Sequence, residues 1–360
     1  MNRVKIGVVG AGAIGGVISA MLAEKGYDVE VAKRYNSDIV LDDYVNLEVL
    51  GSFGNRNILV KAVNGVAGFT SQKDVIFVLT KAYDAPDVAR QALQFLKPNG
   101  IIVSSQNVMN VEQMLNVVGT PRLFALIINW TAVRHNKATM EVTRPGNMII
   151  GNFGAEGEAY LTIIQSILQS IAPTEISNNI IGDIWSRTII NSVIGSLGAL
   201  TGYNLGVTML VPNAKPVMTK MIFEAMDLAK DLKVNVKNYG SLDYYQFTEH
   251  GLRAWLYRQT ILRRLRKQNG KVVSSLMTSI ENNVKCEIDY LNGYFIHLGK
   301  QLNKTVPVNR RVYDMVKEIE NGYRSMFIEN LIDKYLLNPK KYSKHLKNNV
   351  VEAKNDNWWY

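Results

Sequence analysis

The sequence is short of several things, and each shortage closes off a chemistry. It holds a single cysteine, Cys286, among 360 residues, which excludes an internal disulfide framework and any multi-cysteine metal site. Its four histidines, His135, His250, His297 and His345, are scattered, with no metal-ligand spacing among them, so no metal is expected. No apolar run reaches the ~20 residues that span a bilayer. The start, Met1-Asn2-Arg3-Val4-Lys5, leads into a β-like run and not into the apolar stretch of a signal peptide. Internal repeats and low-complexity linkers are absent. Acidic residues are in deficit: 31 Asp and Glu face 41 Lys and Arg, for a net charge of +10, which favours an anionic partner. A reducing, cytoplasmic protein is expected.

Core-forming material is plentiful. The chain is 47% hydrophobic and 20% charged, a globular composition, and at one domain per ~150 residues its length suits two domains. Val4-Lys5-Ile6-Gly7-Val8-Val9 reads as a buried strand. A glycine turn follows, then a helical pattern from Ala13 to Lys25 with Ile14, Val17, Ile18, Met21 and Leu22 on one face. Gly26 stands where a helix-ending glycine is expected, and Asp28 to Ala32 reads as a second strand. Further strand-like runs lie at 74–79, 100–104 and 124–128, with a helical pattern at 85–96. Such alternation predicts a doubly wound α/β domain. After about residue 175 the pattern turns helical, over 178–200, 218–233, 252–267, 277–301 and 309–320. The predicted division is a dinucleotide-binding domain at 1–176, a helical domain at 177–330 and a basic extension at 331–360. That extension carries Lys340, Lys341, Lys344 and Lys347 and ends in Trp358-Trp359-Tyr360.

Gly10-Ala11-Gly12-Ala13-Ile14-Gly15 is a G-x-G-x-x-G run. It follows a strand and opens a helix, which is the context a dinucleotide fingerprint requires. The first glycine permits the tight turn, the second lets a pyrophosphate approach, and the third lets helix and strand pack closely. The phosphates then meet the positive helix N-terminus. At the end of the second strand, where NAD enzymes carry an acid for the ribose 2′-OH, the chain reads Ala32-Lys33-Arg34. A guanidinium at Arg34 suits a 2′-phosphate, so the cofactor expected is NADP; a solvated basic pair is the plain alternative.

Further along stand Thr80-Lys81-Ala82-Tyr83-Asp84, Gln106-Asn107, Trp185-Ser186-Arg187 with Asn191, and Ser274-Ser275-Leu276-Met277. Glu287-Ile288-Asp289-Tyr290-Leu291-Asn292-Gly293 and Val306-Pro307-Val308-Asn309 follow. In this order the chain resembles the ketopantoate reductase (2-dehydropantoate 2-reductase) family over most of residues 4–320. The resemblance implies a Rossmann amino-terminal domain, an all-helical carboxy-terminal domain, a homodimer, and hydride transfer from NADPH to a 2-keto acid in a cleft between the domains. It implies cofactor contacts from Gly10, Ala11, Gly12, Ala13, Ile14, Gly15, Arg34, Lys81, Asn107 and Glu287. Substrate contacts would come from Asn107, Asn191 and Ser275, and catalytic groups from Arg187 and Glu287. Read singly, Asn107 could shape a turn, Ser275 cap a helix and Glu287 be a solvated charge, and Cys286 suits a small buried hydrophobe.

Three positions depart from the family pattern. Arg187 stands at the catalytic lysine, Gly195 at a second substrate asparagine, and Val108 at the glycine after Asn107. Arginine stays protonated and is a poor proton donor, though a good fork for a carboxylate. Loss of an amide at Gly195 is expected to widen the pocket. An altered carbonyl or imine substrate, or a non-catalytic NADP-binding sensor, are the alternatives these departures raise. The segment Arg253 to Lys271 carries seven cations and no acid. A solvated helix face is the expected reading, ahead of a substrate tail, a subunit contact or a membrane surface. No nucleic-acid module accompanies it.

Overall fold

Short apolar runs without polar alternation form strands covered on both faces, and the amino-terminal half is built on them. The computed structural model describes residues 3–33, 44–338 and 341–342. Its strands are β1 (Lys5–Val9), β2 (Asp28–Lys33), β3 (Tyr44–Gly51), β4 (Arg56–Asn64), β5 (Lys73–Val78), β6 (Leu96–Ser104), β7 (Leu123–Ile128), β8 (Thr131–Arg134), β9 (Thr139–Arg144), β10 (Met148–Asn152) and β11 (Thr174–Ile176). They form one sheet in the order β11-β10-β7-β6-β5-β1-β2-β4-β3-β9-β8. From β7 across to β4 every pairing is parallel. Antiparallel pairings come in at β10–β7, β3–β4 and β8–β9.

Four helices cover this sheet: α1 (Ala13–Glu24), α2 (Ala85–Ala92), α3 (Val108–Val118) and α4 (Glu158–Gln169). Ile6, Val8, Val31, Phe77 and Val103 pack with Val17, Ile18 and Leu22 of α1 and Leu161 and Ile164 of α4. The alternate residues Val9, Ala32, Ile76, Val78 and Ile102 pack with Ala85, Ala89 and Ala92 of α2 and Met114 of α3. Helices on both faces of a mostly parallel sheet make the doubly wound, Rossmann-type fold that the pattern predicts. The expected helix at 85–96 is shorter, because Leu96 already opens β6. The pairs β3–β4 and β8–β9 extend the sheet beyond the predicted strands.

The chain divides into two compact units, Met1–Ile184 and Trp185–Tyr360. Among the described residues the second is built of helices and holds no strand: α5 (Ile180–Thr201, entering from the first unit), α6 (Leu205–Thr208), α7 (Ala214–Asp231), α8 (Tyr244–Thr248), α9 (Leu252–Asn269), α10 (Ser275–Glu281), α11 (Asn292–Gln301), α12 (Pro307–Glu320) and α13 (Lys334–Leu337). One prediction fails here. The stretch 277–301 is not a single helix: α10 stops at Glu281, and Asn283 takes a left-handed turn at φ 54°. The Val284 N–H then reaches back to the Ser279 carbonyl at 2.8 Å, a helix-ending bond pattern that Asn tolerates well. A 3-10 turn over Ile288–Tyr290 precedes α11. The first part of the carboxy-terminal extension packs on α12: Arg311 pairs with Asp333 at 2.9 Å and Tyr342 donates to Asp314. Trp358-Trp359-Tyr360 lie outside the described residues.

Candidate active site

The glycine turn follows directly from β1. Gly10 has φ 107°, and a Cβ there would lie 2.6 Å from the Leu79 carbonyl group. Only glycine passes that point. A Cβ on Gly15 would lie 2.0 Å from the Gly10 carbonyl oxygen, so α1 rests directly against the turn. Gly12 is different: it is exposed and a Cβ there meets no heavy atom within 4 Å. It is also the N-cap of α1, with no side-chain cap and no acidic residue in the first turn. The first N–H groups of α1 are therefore available to an anion. Beside the turn the buried Thr80 hydroxyl oxygen has no hydrogen-bond partner among the described residues.

These groups gather at the carboxyl ends of neighbouring parallel strands. Gly10 follows β1, Thr80 and Lys81 follow β5, and Gln106 and Asn107 follow β6. That is where ligands bind in open α/β sheets. Gln106 ties the third turn to the second, its amide donating to the Thr80 carbonyl at 3.1 Å. The Asn107 backbone carbonyl accepts from Val111, yet the Asn107 side chain caps nothing and makes no hydrogen bond among the described residues. Lys81 is half-buried in the turn before α2. An open Gly12, an uncapped helix start and an orphaned hydroxyl fit a dinucleotide.

Arg34 lies outside the described residues. The acids of β2 are described, and Glu30 is engaged elsewhere. It is 2% exposed, pairs with Lys73 at 2.7 Å and Lys61 at 3.0 Å, and accepts from Thr70. Burial would raise its carboxyl, but the bonds from Lys73, Thr70 and Lys61 win and hold it at about 2. At the strand end Lys33 is 8% exposed, and burial pushes its ammonium below the usual lysine range.

In the helical unit Arg187, Asn191 and Gly195 stand four residues apart on α5 and so share a face. Trp185 anchors the helix, its ring 5.9 Å from Tyr294 and 6.0 Å from Phe295 of α11. The Arg187 guanidinium lies over the Tyr239 ring at 5.8 Å, and the buried Tyr244 hydroxyl donates to the Ser186 carbonyl at 2.7 Å. Asn191 is half-buried, and its amide has no hydrogen bond among the described residues. Ser274, not Ser275, caps α10: its hydroxyl accepts from Met277 at 3.2 Å and donates to the Gly195 carbonyl at 2.6 Å. Ser275 is the exposed first residue of that helix.

Gly195 does not open a void. A Cβ there would lie 3.3 Å from Leu276 and 3.9 Å from Leu291, so two leucines fill the space where the expectation was a widened pocket. Glu287 is half-buried just before the 3-10 turn, four residues from Leu291. Its neighbour Cys286 is fully buried, and burial pushes the thiol up to about 12. Asn292 donates to Asn309 at 3.0 Å, and Asn309 donates to the Glu224 carboxylate at 2.8 Å. The motif residues thus sort themselves. Trp185, Ser274, Asn292 and Asn309 hold helices, whereas the side chains of Asn107, Asn191 and Ser275 are left uncommitted among the described residues.

Sequence reasoning missed Arg134 and Tyr239, which reach these sites from distant segments and carry no local signature. Among the described residues no cluster of His, Cys, Asp or Glu could hold a metal, and no helix is long and apolar enough to cross a membrane.

Residues 6–155 match the family model described as Ketopantoate reductase PanE/ApbA, and residues 179–320 match its C-terminal counterpart. The chain belongs to the ketopantoate reductase family. It is an oxidoreductase of the 2-dehydropantoate 2-reductase type, built for a nicotinamide cofactor. The 2-dehydropantoate 2-reductase of Pyrococcus horikoshii is 24% identical over 318 residues, covering 88% of this chain and 98% of that protein. The Salmonella typhimurium enzyme of the same name is 24% identical over 320 residues, covering 89% and 96%. Among solved structures, the PanE/ApbA family ketopantoate reductase of Ralstonia eutropha superposes with a TM-score of 0.74 at 20% identity, covering 89% and 99%. A D-mandelate dehydrogenase holding NADH and anilino(oxo)acetate superposes at 0.76 and 18% identity, covering 89% and 99%.

Proposed function

We propose that this ketopantoate reductase family member uses NADPH to reduce the carbonyl of a 2-keto acid, ketopantoate or a related substrate, to the 2-hydroxy acid. One observation carries this reading. Of the family-motif residues, the three expected to touch substrate (Asn107, Asn191, Ser275) have side chains without a hydrogen bond among the described residues, while their sequence neighbours Gln106, Ser192 and Ser274 are hydrogen-bonded in place. NADPH, when bound, supplies the hydride. The chain's own residues do the rest. Residues 1–176 bind the dinucleotide through Gly10 to Gly15, Lys81 and Asn107, with Arg34 on the 2′-phosphate. Residues 177–330 supply Asn191 and Ser275 to the substrate, together with Arg187 and Glu287, and 331–360 form an extension. A homodimer is part of the proposal, and a family neighbour from Staphylococcus aureus is described as dimeric.

A guanidinium is a poor proton donor. The role of Arg187 is to hold the keto acid and stabilise the oxyanion that hydride addition forms at the carbonyl, while water or Lys81 supplies the proton that turns this oxyanion into the hydroxyl. A shifted substrate is the second reading, favoured by the leucines packed at Gly195. An apolar wall there suits a keto acid with an apolar group better than one with a hydroxyl. Kinetics of Arg187→Ala and Arg187→Lys test the assignment. Loss of an aligned cation is expected to lower kcat/KM by roughly 3 to 4 kcal/mol, about a hundred- to a thousandfold. If the site is rebuilt around arginine, lysine also lowers activity on the true substrate, because a bidentate contact is lost. A rise in ketopantoate turnover with lysine would instead mark an unaltered ketopantoate site. Unchanged kinetics in the alanine variant would remove Arg187 from the mechanism.

A further inference from the structure

The sheet brings a cation to the glycine turn from far along the chain. Arg134 is the last residue of β8, the strand at one end of the sheet. Its Nη1 donates to the Ala11 carbonyl at 3.1 Å across 123 residues of sequence. The register explains why. Arg134 pairs with Met140 in the antiparallel β8–β9 ladder, and directly opposed residues share a face. Met140 sits against Gly16 of α1, where a Cβ would meet its Cε at 2.7 Å. The face of the hairpin that carries Arg134 therefore looks at the first turn of α1.

We propose that Arg134 is a clamp for the cofactor's pyrophosphate, closing over the open glycine turn from the side opposite Thr80. The inference rests on the NADPH reading above. The guanidinium is exposed, its bond to Ala11 uses one of its N–H groups, and the rest of the fork has no partner among the described residues. Gly12, the next residue, leaves its outward side clear for 4 Å. An Arg fork beside uncapped helix N–H groups recognises a diphosphate in two ways at once, by charge and by paired donors. The Ala11 carbonyl presets the guanidinium, so little side-chain freedom is lost when the anion arrives.

Titrating NADPH into wild type, Arg134→Gln and Arg134→Lys, with inorganic pyrophosphate as a second probe, tests the clamp. Glutamine keeps a donor for the Ala11 carbonyl but removes the charge. It is expected to weaken NADPH and pyrophosphate binding roughly tenfold and to flatten their salt dependence. Lysine should recover most of the loss, and thermal melting checks that both variants fold. Wild-type affinity in the glutamine variant overturns the clamp. So does an equal loss in both variants with the salt dependence unchanged, which would mark a loop contact only. Arg134-dependent pyrophosphate binding without NADPH binding would overturn the cofactor reading while leaving the clamp standing. A wild type that binds neither overturns both.

Discussion

At the scale of single residues, chemistry and architecture are divided between neighbours. Ser274 locks α10 to the Gly195 carbonyl and leaves Ser275 exposed; Gln106 ties two turns together, and the Asn107 side chain has no hydrogen bond among the described residues. The spacing of these motifs is local and was legible in the sequence, but which member of each pair does the holding was not. That depends on partners far away in the chain, as with Arg134 and Ala11, or Leu276 and Gly195. The glycine turn could be read because Gly10 and Gly15 answer nearby steric demands, while Gly12 leaves its outward side open. Cofactor choice also belongs to this scale. Glu30 is tied to Lys73 and Lys61 and is therefore not available to a ribose 2′-OH. Wild type is expected to bind NADPH more tightly than NADH, and Arg34→Ala to remove roughly 1.5 to 3 kcal/mol of that preference, about ten- to a hundredfold. Parallel fluorescence titrations check it, and equal wild-type affinities would contradict the NADP assignment.

Among the elements, β1, α1 and β2 were predictable because hydrophobic period and turn residues agree over a short span. Gly26 closes α1 at φ 85° as its position implied. The β8–β9 hairpin was not predictable: four residues of β8, only partly apolar, carry too little alternation. The break at Asn283 was hidden by apolar residues that keep helical spacing on both sides. Helix α12 begins on a different device, since its N-terminal N–H groups are met by a carboxylate from α7. Glu224 accepts from Val308 at 2.8 Å and from Asn309 at 2.9 Å. Burial nevertheless outweighs these bonds and pushes its carboxyl up to about 7 from 4.5. Between those values the folded state holds a proton that the unfolded chain has released, so this stabilisation is lost as pH rises through about 7. The melting temperature of wild type should therefore fall between about pH 5 and pH 8 by more than that of Glu224→Gln, which keeps an acceptor oxygen and does not titrate. Parallel slopes in the two proteins would contradict the buried-acid account.

For the whole molecule, the excess positive charge is placed unevenly. On α9, Arg258 turns inward to the Phe247 and Glu249 carbonyls. Arg263, Arg266 and Lys267 instead line an open cavity of 520 Å³ with Asn204, Gly206, Val207 and Leu210. The two-unit organisation was legible because strand alternation gives way to helical spacing near residue 175. The exact division was not, since α5 runs through it without a composition change. Reversing Arg263, Arg264 and Arg266 to glutamate should leave both NADPH affinity and keto-acid KM unchanged, as a solvated helix face requires. A selective rise in KM would place α9 in an anionic substrate site, and a change in mass by light scattering would make it a subunit contact. The central claim, an NADPH-dependent 2-keto acid reductase, is tested most directly by the turnover of wild-type protein. NADPH loss and 2-hydroxy acid formation are followed together over a panel of 2-keto acids that includes ketopantoate and apolar analogues. Matched consumption and product with at least one keto acid is the predicted result. Tight NADPH binding with no oxidation across the whole panel would contradict it.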